Sequence, residues 1–131
     1  MKCARLIVNR QGVAAVDFAL MIPIILLFIL GVLQLGIVYS ANAGLQHAMG
    51  EAARSATLFP TPSDTALRQT FADKRFGLDP ANLGQLSVVR GVSSGVNYAD
   101  LSITYNVPIL TPFIEFPPVR LSHSRRVYTP T

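Results

Sequence analysis

From Phe18 to Tyr39 this chain runs for 22 residues without a charged side chain. Gln34 is the one clearly polar group in that run, and extending it back to Val13 adds only Asp17. A helix rises about 1.5 Å per residue, so the run would measure about 33 Å, close to the ~30 Å hydrocarbon core of a bilayer. Half of the 131 residues are hydrophobic and only 14% are charged, and this one segment accounts for most of the imbalance. The remaining length is enough for one small domain. The sequence therefore reads as a single membrane-spanning helix attached to one domain.

Charge sets the expected orientation. Lys2, Arg5 and Arg10 precede the apolar run, and the first Lys or Arg after it is Arg54. The positive-inside rule keeps residues 1–12 in the cytoplasm and places everything after Tyr39 outside. A secretory signal has a similar order of parts, and Ala41-Asn42-Ala43 supplies a small-x-small match after the run. Signal h-regions span roughly 7–15 residues, however, and this run is nearly twice that, which favours an anchor. Cys3, the one cysteine, precedes the run rather than following it as a lipoprotein would require. A lone thiol also leaves the outer part to fold by packing alone.

The helical pattern continues past the lipid. Ser40 to Thr57 has no proline and is rich in Ala, Leu, Gln, Glu and Arg, and Pro60 and Pro62 end it. One helix over 13–58, with about 13–39 in the membrane, would measure about 70 Å. Ser40, Gly44, Ala48, Ala52 and Ala56 recur every four residues and would let another backbone approach closely. Either the chain's own C-terminal part or a partner helix fits that stripe. His47–Glu51 and Glu51–Arg54 have spacings suited to weak local ion pairs. Pro23 removes one helical donor, so a kink or loosening is expected there.

Residues 59–131 read as an α+β domain. Ser63 or Asp64 caps a short helix to about Phe76, with Leu67 and Phe71 one turn apart on its apolar face. Leu86–Arg90, Leu101–Val107 and Val119–Tyr128 read as strands, and the second alternates cleanly. Gly91 to Asn97 reads as the loop of a hairpin. The expected whole is a long transmembrane helix continuing outside the membrane, then a short helix and an antiparallel sheet of about three strands. Thr111 to Pro118 is an apolar, proline-bracketed loop that either closes over the domain's core or offers a contact patch.

Chemistry is sparse. His47 and His123 are the only histidines, and neither has Cys, Asp or Glu at metal-ligand spacing. No nucleophile elbow frames a serine, and no glycine-rich phosphate loop occurs. Asp100 and Glu115 show no evident pairing in the sequence. The net charge of +4 is diffuse, which argues against a nucleic-acid partner. The expectation is a protein that is not an enzyme and needs no cofactor and no metal.

One local pattern is more specific. Gly12-Val13-Ala14-Ala15-Val16-Asp17-Phe18 is a glycine, four apolar or small residues, an acid and an aromatic. It resembles the prepilin cleavage sites of tight-adherence (Flp) pili, which are related to type IV pili. The fuller stretch from Arg10 through Pro23, with Glu51-Ala52-Ala53-Arg54 further on, is similar to TadE-like minor pseudopilins. The resemblance covers roughly residues 10–57. Asp17 stands where Glu is commoner and Phe18 where Tyr is common, both swaps that keep the chemistry.

The resemblance implies a membrane-embedded prepilin peptidase cutting between Gly12 and Val13, so that residues 1–12 are a cytoplasmic leader. Asp17 of one subunit would then neutralise the new Val13 amine of its neighbour. Implied partners are other pilin and pseudopilin subunits, the peptidase, the assembly platform and the membrane. The implied location is the bacterial inner membrane, single-pass, with the outer domain periplasmic and incorporation into an extracellular pilus serving adhesion. The implied role is a subunit that assembles or primes such a pilus or a related secretion system. The competing reading is an anchored periplasmic adaptor or sensor that keeps its first twelve residues.

Overall fold

A computed structural model of the chain describes residues 10–110 and 116–130. Cys3 and the rest of residues 1–9, and residues 111–115 of the proline-bracketed loop, Glu115 among them, lie outside them. The elements in order are α1 (Arg10–Ala56), α2 (Asp64–Lys74), a 3-10 turn at Pro80–Asn82, β1 (Ser87–Ser93), β2 (Val96–Val107) and β3 (Val119–Tyr128). The fold is α+β: a long apolar N-terminal helix, a short second helix and a three-stranded antiparallel sheet ordered β1-β2-β3.

Packing divides the chain into two units, Met1–Leu33 and Gln34–Thr131. In the first, the helix continues through Pro23, and every side chain from Gly12 to Leu33 is exposed. In the second, burial along α1 starts with half-buried Gln34 and Val38 and becomes complete at Ala41, Leu45, Ala48, Ala52 and Ala56. Those steps are of three or four residues, the spacing that keeps one helix face turned to a core. They join Leu67 and Phe71 of α2, Leu78, Leu86, and Ala99, Leu101, Ile103, Tyr105 and Val107 of β2 in a single apolar cluster.

The strict four-residue stripe drifts off that face. Each step of four residues turns about 40° beyond a full circle, so Ser40 lies about 160° around the helix from Ala56. Ser40 is accordingly exposed, whereas Gly44, Ala48, Ala52 and Ala56 are buried in the chain's own core. A Cβ added at Gly44 would overlap the carbonyl oxygen of Phe76 and come within 3.4 Å of Leu78 Cγ.

Helix ends follow local chemistry. The last turn of α1 tightens through i→i+3 bonds from the Thr57 and Leu58 amides to the Arg54 and Ser55 carbonyls, before Pro60 withholds a donor. Ser63 Oγ caps α2 by accepting the Ala66 amide at 3.2 Å. That helix stops at Lys74, two residues short of the expected Phe76, and Gly77 follows in a left-handed conformation at φ 65°.

The hairpin is tighter than the sequence suggests. β1 and β2 pair as far as Ser93↔Val96, leaving only Ser94 and Gly95 as the turn. Both have positive φ, at 52° and 80°, as a two-residue type I′ turn requires. Gly91, read from sequence as part of a loop, lies within β1 paired with Tyr98, whose ring occupies the space a side chain at Gly91 would take. Beyond β1 the edge continues with a bridge between Leu83 and Tyr105 and a bond from the Gly84 amide to the Thr104 carbonyl.

Candidate functional site

Gly12, Val13, Asp17 and Phe18 all lie on the first two turns or so of α1 and are exposed. No hydrogen bond or ion pair joins Asp17 to another described residue; the ion pairs among those residues are Arg90–Asp64 and Arg126–Asp100. A Cβ built on Gly12, Gly31 or Gly36 meets nothing within 4 Å. Glycine inside a helix costs about 1 kcal/mol relative to alanine. Packing among the described residues does not require glycine at these positions.

Two polar contacts tie the core face of α1 to the sheet end of the domain. The Gln34 amide donates from Nε2 to the Pro108 carbonyl at 2.9 Å and accepts the Leu110 amide on Oε1 at 3.3 Å. Asn42 Oδ1 lies 2.7 Å from His123 Nε2. His123 thus joins β3 to the helix, and His47 stacks at a tilt on Phe76 with centroids 5.6 Å apart. The expected local pairs His47–Glu51 and Glu51–Arg54 do not form among the described residues.

The outward face of the sheet carries a cluster that sequence reading missed. Antiparallel register sets Asp100 opposite Arg126 and Tyr98 opposite Tyr128. Arg126 donates from Nε and from its second terminal nitrogen to the two Asp100 oxygens, both at 2.7 Å, and its guanidinium lies 4.2 Å from the Tyr98 ring centroid. Those hydrogen bonds hold the Asp100 carboxyl below the usual carboxylate range, against partial desolvation and with added help from the guanidinium charge. Arg126 is pushed up by the same bonds. Asp100 therefore has a partner after all, one that only the strand register reveals.

An open depression of about 320 Å³ lies at the hairpin end of the sheet, lined by Thr61, Arg90, Tyr98 and Thr129 among others. Arg90 is already held by Asp64 at 2.7 Å and by the Pro62 carbonyl. Among the described residues no three His, Cys, Asp or Glu side chains gather as metal ligands.

The family model described as TadE-like protein matches residues 12–54. The segment is TadE-like. Its match begins at Gly12, runs through the whole exposed apolar stretch and ends two residues before α1 does. The match concerns that segment, and residues 55–131 lie outside it. No curated protein and no solved structure matches the chain. The helix is long and apolar enough to cross a membrane once, compatible with a single-pass anchor.

Proposed function

We propose that the protein is a minor pseudopilin-like structural subunit, not an enzyme, that assembles or primes a tight-adherence pilus. The observation that carries this reading is the TadE-like match starting at Gly12 on a helix whose residues from Gly12 to Leu33 are exposed among the described residues. An exposed helical face from Val13 to Leu33 calls for lipid before assembly and for neighbouring subunit helices after it.

In this reading a prepilin peptidase hydrolyses the Gly12–Val13 bond on the cytoplasmic side, leaving the Gly12 carboxylate on the leader and a new α-amine on Val13. The absence of any packing demand at Gly12 supports a glycine kept for the protease, which needs a sterically open backbone. The Val13 amine becomes a cation at the head of an apolar helix. Asp17 of an adjacent subunit neutralises it, which offsets the desolvation of both charges within the bundle.

The test is Asp17→Ala beside Asp17→Glu, followed by membrane fractionation and by co-purification with the other pilus subunits. Asp17→Ala should stay membrane-inserted and fail to co-assemble, while Asp17→Glu should assemble normally. Normal assembly of Asp17→Ala would remove the charge-pairing step.

A further inference from the structure

β3 forms one edge of the sheet, as β1 forms the other, and it lies wholly within the Gln34–Thr131 unit. Just past its end the Thr129 amide donates to the Asn97 carbonyl, continuing the register that sets Tyr98 opposite Tyr128. Residues of an antiparallel ladder alternate between pairing with the neighbour and facing away, so the odd-numbered residues of β3 spend both backbone groups on β2. The N–H and C=O of Arg120, Ser122, Ser124, Arg126 and Tyr128 therefore point to the free edge, and all five residues are exposed. Among the described residues nothing outside the sheet bonds to those amides.

Free edges are commonly blunted by a bulge, an internal proline or a covering element. β1 follows that rule. Arg68 of α2 donates to the Leu86 carbonyl just before β1 at 3.0 Å, and Arg90 of β1 reaches across to Asp64 at 2.7 Å and to the Pro62 carbonyl. β3 contains neither proline nor glycine, and its pairing with β2 runs without a bulge from Val119 to Tyr128. What it carries instead is charge: Arg120, Arg125 and Arg126, with no Asp or Glu. Arg126 is engaged by Asp100, whereas Arg125 is exposed and in no ion pair among the described residues. The Arg125 guanidinium lies beside Gly50 of α1, and exposed Arg54 follows one turn later. Half-buried Glu51 is the one acid between Gln34 and Ala56.

We propose that the free edge of β3 is a strand-addition site for an extended acidic segment of a partner protein. Backbone hydrogen bonds to Ser122, Ser124 and Arg126 supply the affinity, and the arginines select carboxylates in the added strand. The same charges disfavour a second copy of β3, which would bring two sets of arginines to one seam. Ser122 and Ser124, small and exposed in the middle of the strand, leave room for the side chains of the added strand. The site does not depend on cleavage after Gly12, so it stands or falls apart from the pilus reading.

The probe is a fluorescein-labelled synthetic peptide as long as β3 that alternates Val with Glu, titrated by fluorescence anisotropy against the full-length chain in non-ionic detergent. Two control peptides accompany it. One carries Lys for Glu, and the other is the acidic peptide N-methylated at consecutive central residues, which spoils both of its edges. The acidic peptide should bind saturably, weaken with added salt, and slow hydrogen exchange at the Ser122 and Ser124 amides. Both controls should bind about tenfold or more weakly, the worth of one good hydrogen bond or charge pair. Ser124→Pro removes one outward amide and no bond to β2, and it and Arg125→Glu should each weaken the acidic peptide to a similar degree. Near-ultraviolet dichroism checks that both variants fold; if Ser124→Pro does not, the N-methylated peptide tests the same bonds with the protein unaltered. No saturable binding of the acidic peptide, or equal binding of either control, would overturn the proposal and leave the arginines as a guard against edge-to-edge aggregation.

Discussion

Gly44→Ala places a methyl group where the Phe76 carbonyl oxygen stands, with Leu78 Cγ a further 3.4 Å away. In an open helix position the same change stabilises by about 1 kcal/mol through helix propensity. Overpacking a close-packed site costs about 1–3 kcal/mol. The obstacle at Gly44 is backbone, which cannot rotate aside as a side chain can, so the cost falls near the upper end of that range. The difference is a net loss of about 2 kcal/mol, or roughly 10 °C in Tm for a domain of this size. Gly50 is the matched control on the same helix, because a Cβ there meets only an Arg125 guanidinium nitrogen at an ordinary 3.9 Å. Gly50→Ala should raise Tm by roughly 5 °C, the propensity gain alone. The assay is thermal loss of near-ultraviolet tyrosine dichroism for the full-length chain in detergent. Shifts of the same sign in both variants would refute the claim that the outer half of α1 docks on the Phe76–Leu78 segment.

Two further outcomes follow from the sheet. The Asp100 carboxyl is held below its usual range in the folded protein, so below about pH 4 the unfolded chain binds more protons there. Stability from the Arg126 pair should be fully present above that pH and fall away as pH drops through the folded value; Asp100→Asn should flatten acid unfolding in this window, and added salt should shrink the difference. Leu101→Ala, at a fully buried position of β2, should lower stability by about 2–5 kcal/mol in denaturant titrations. Ser102→Ala, one residue on and exposed, should stay within about 0.5 kcal/mol.

The features readable from sequence were those with a local signal. An uncharged run of 22 residues fixes a long apolar helix, and the alternation of Leu101, Ile103, Tyr105 and Val107 fixes the inner face of β2. What escaped depends on partners far away in the chain. Ser94-Gly95 lacks the Asn-Gly or Asp-Gly signature of a tight hairpin, and Gly91 reads as loop until the Tyr98 ring is seen to cover it. Asp100 finds Arg126 only once the strand register is known. Gln34 reads as an isolated polar group in lipid until its bonds to Pro108 and Leu110 are seen. Of the small-residue stripe, Gly44, Ala48, Ala52 and Ala56 pack in the chain's own core, one of the two readings open in the sequence, and Ser40 falls off that face because a four-residue repeat drifts around a helix with 3.6 residues per turn. At the N-terminal end, Gly12 and Asp17 stood out by spacing, and both are exposed, with no hydrogen bond or ion pair at Asp17 among the described residues.

The most direct measurement is the intact mass, with N-terminal sequencing, of the protein extracted from membranes of cells that also make a prepilin peptidase. The account predicts a mature chain beginning at Val13, and conversion should stop when the peptidase is inactivated. A chain that keeps residues 1–12 beside an active peptidase would contradict it.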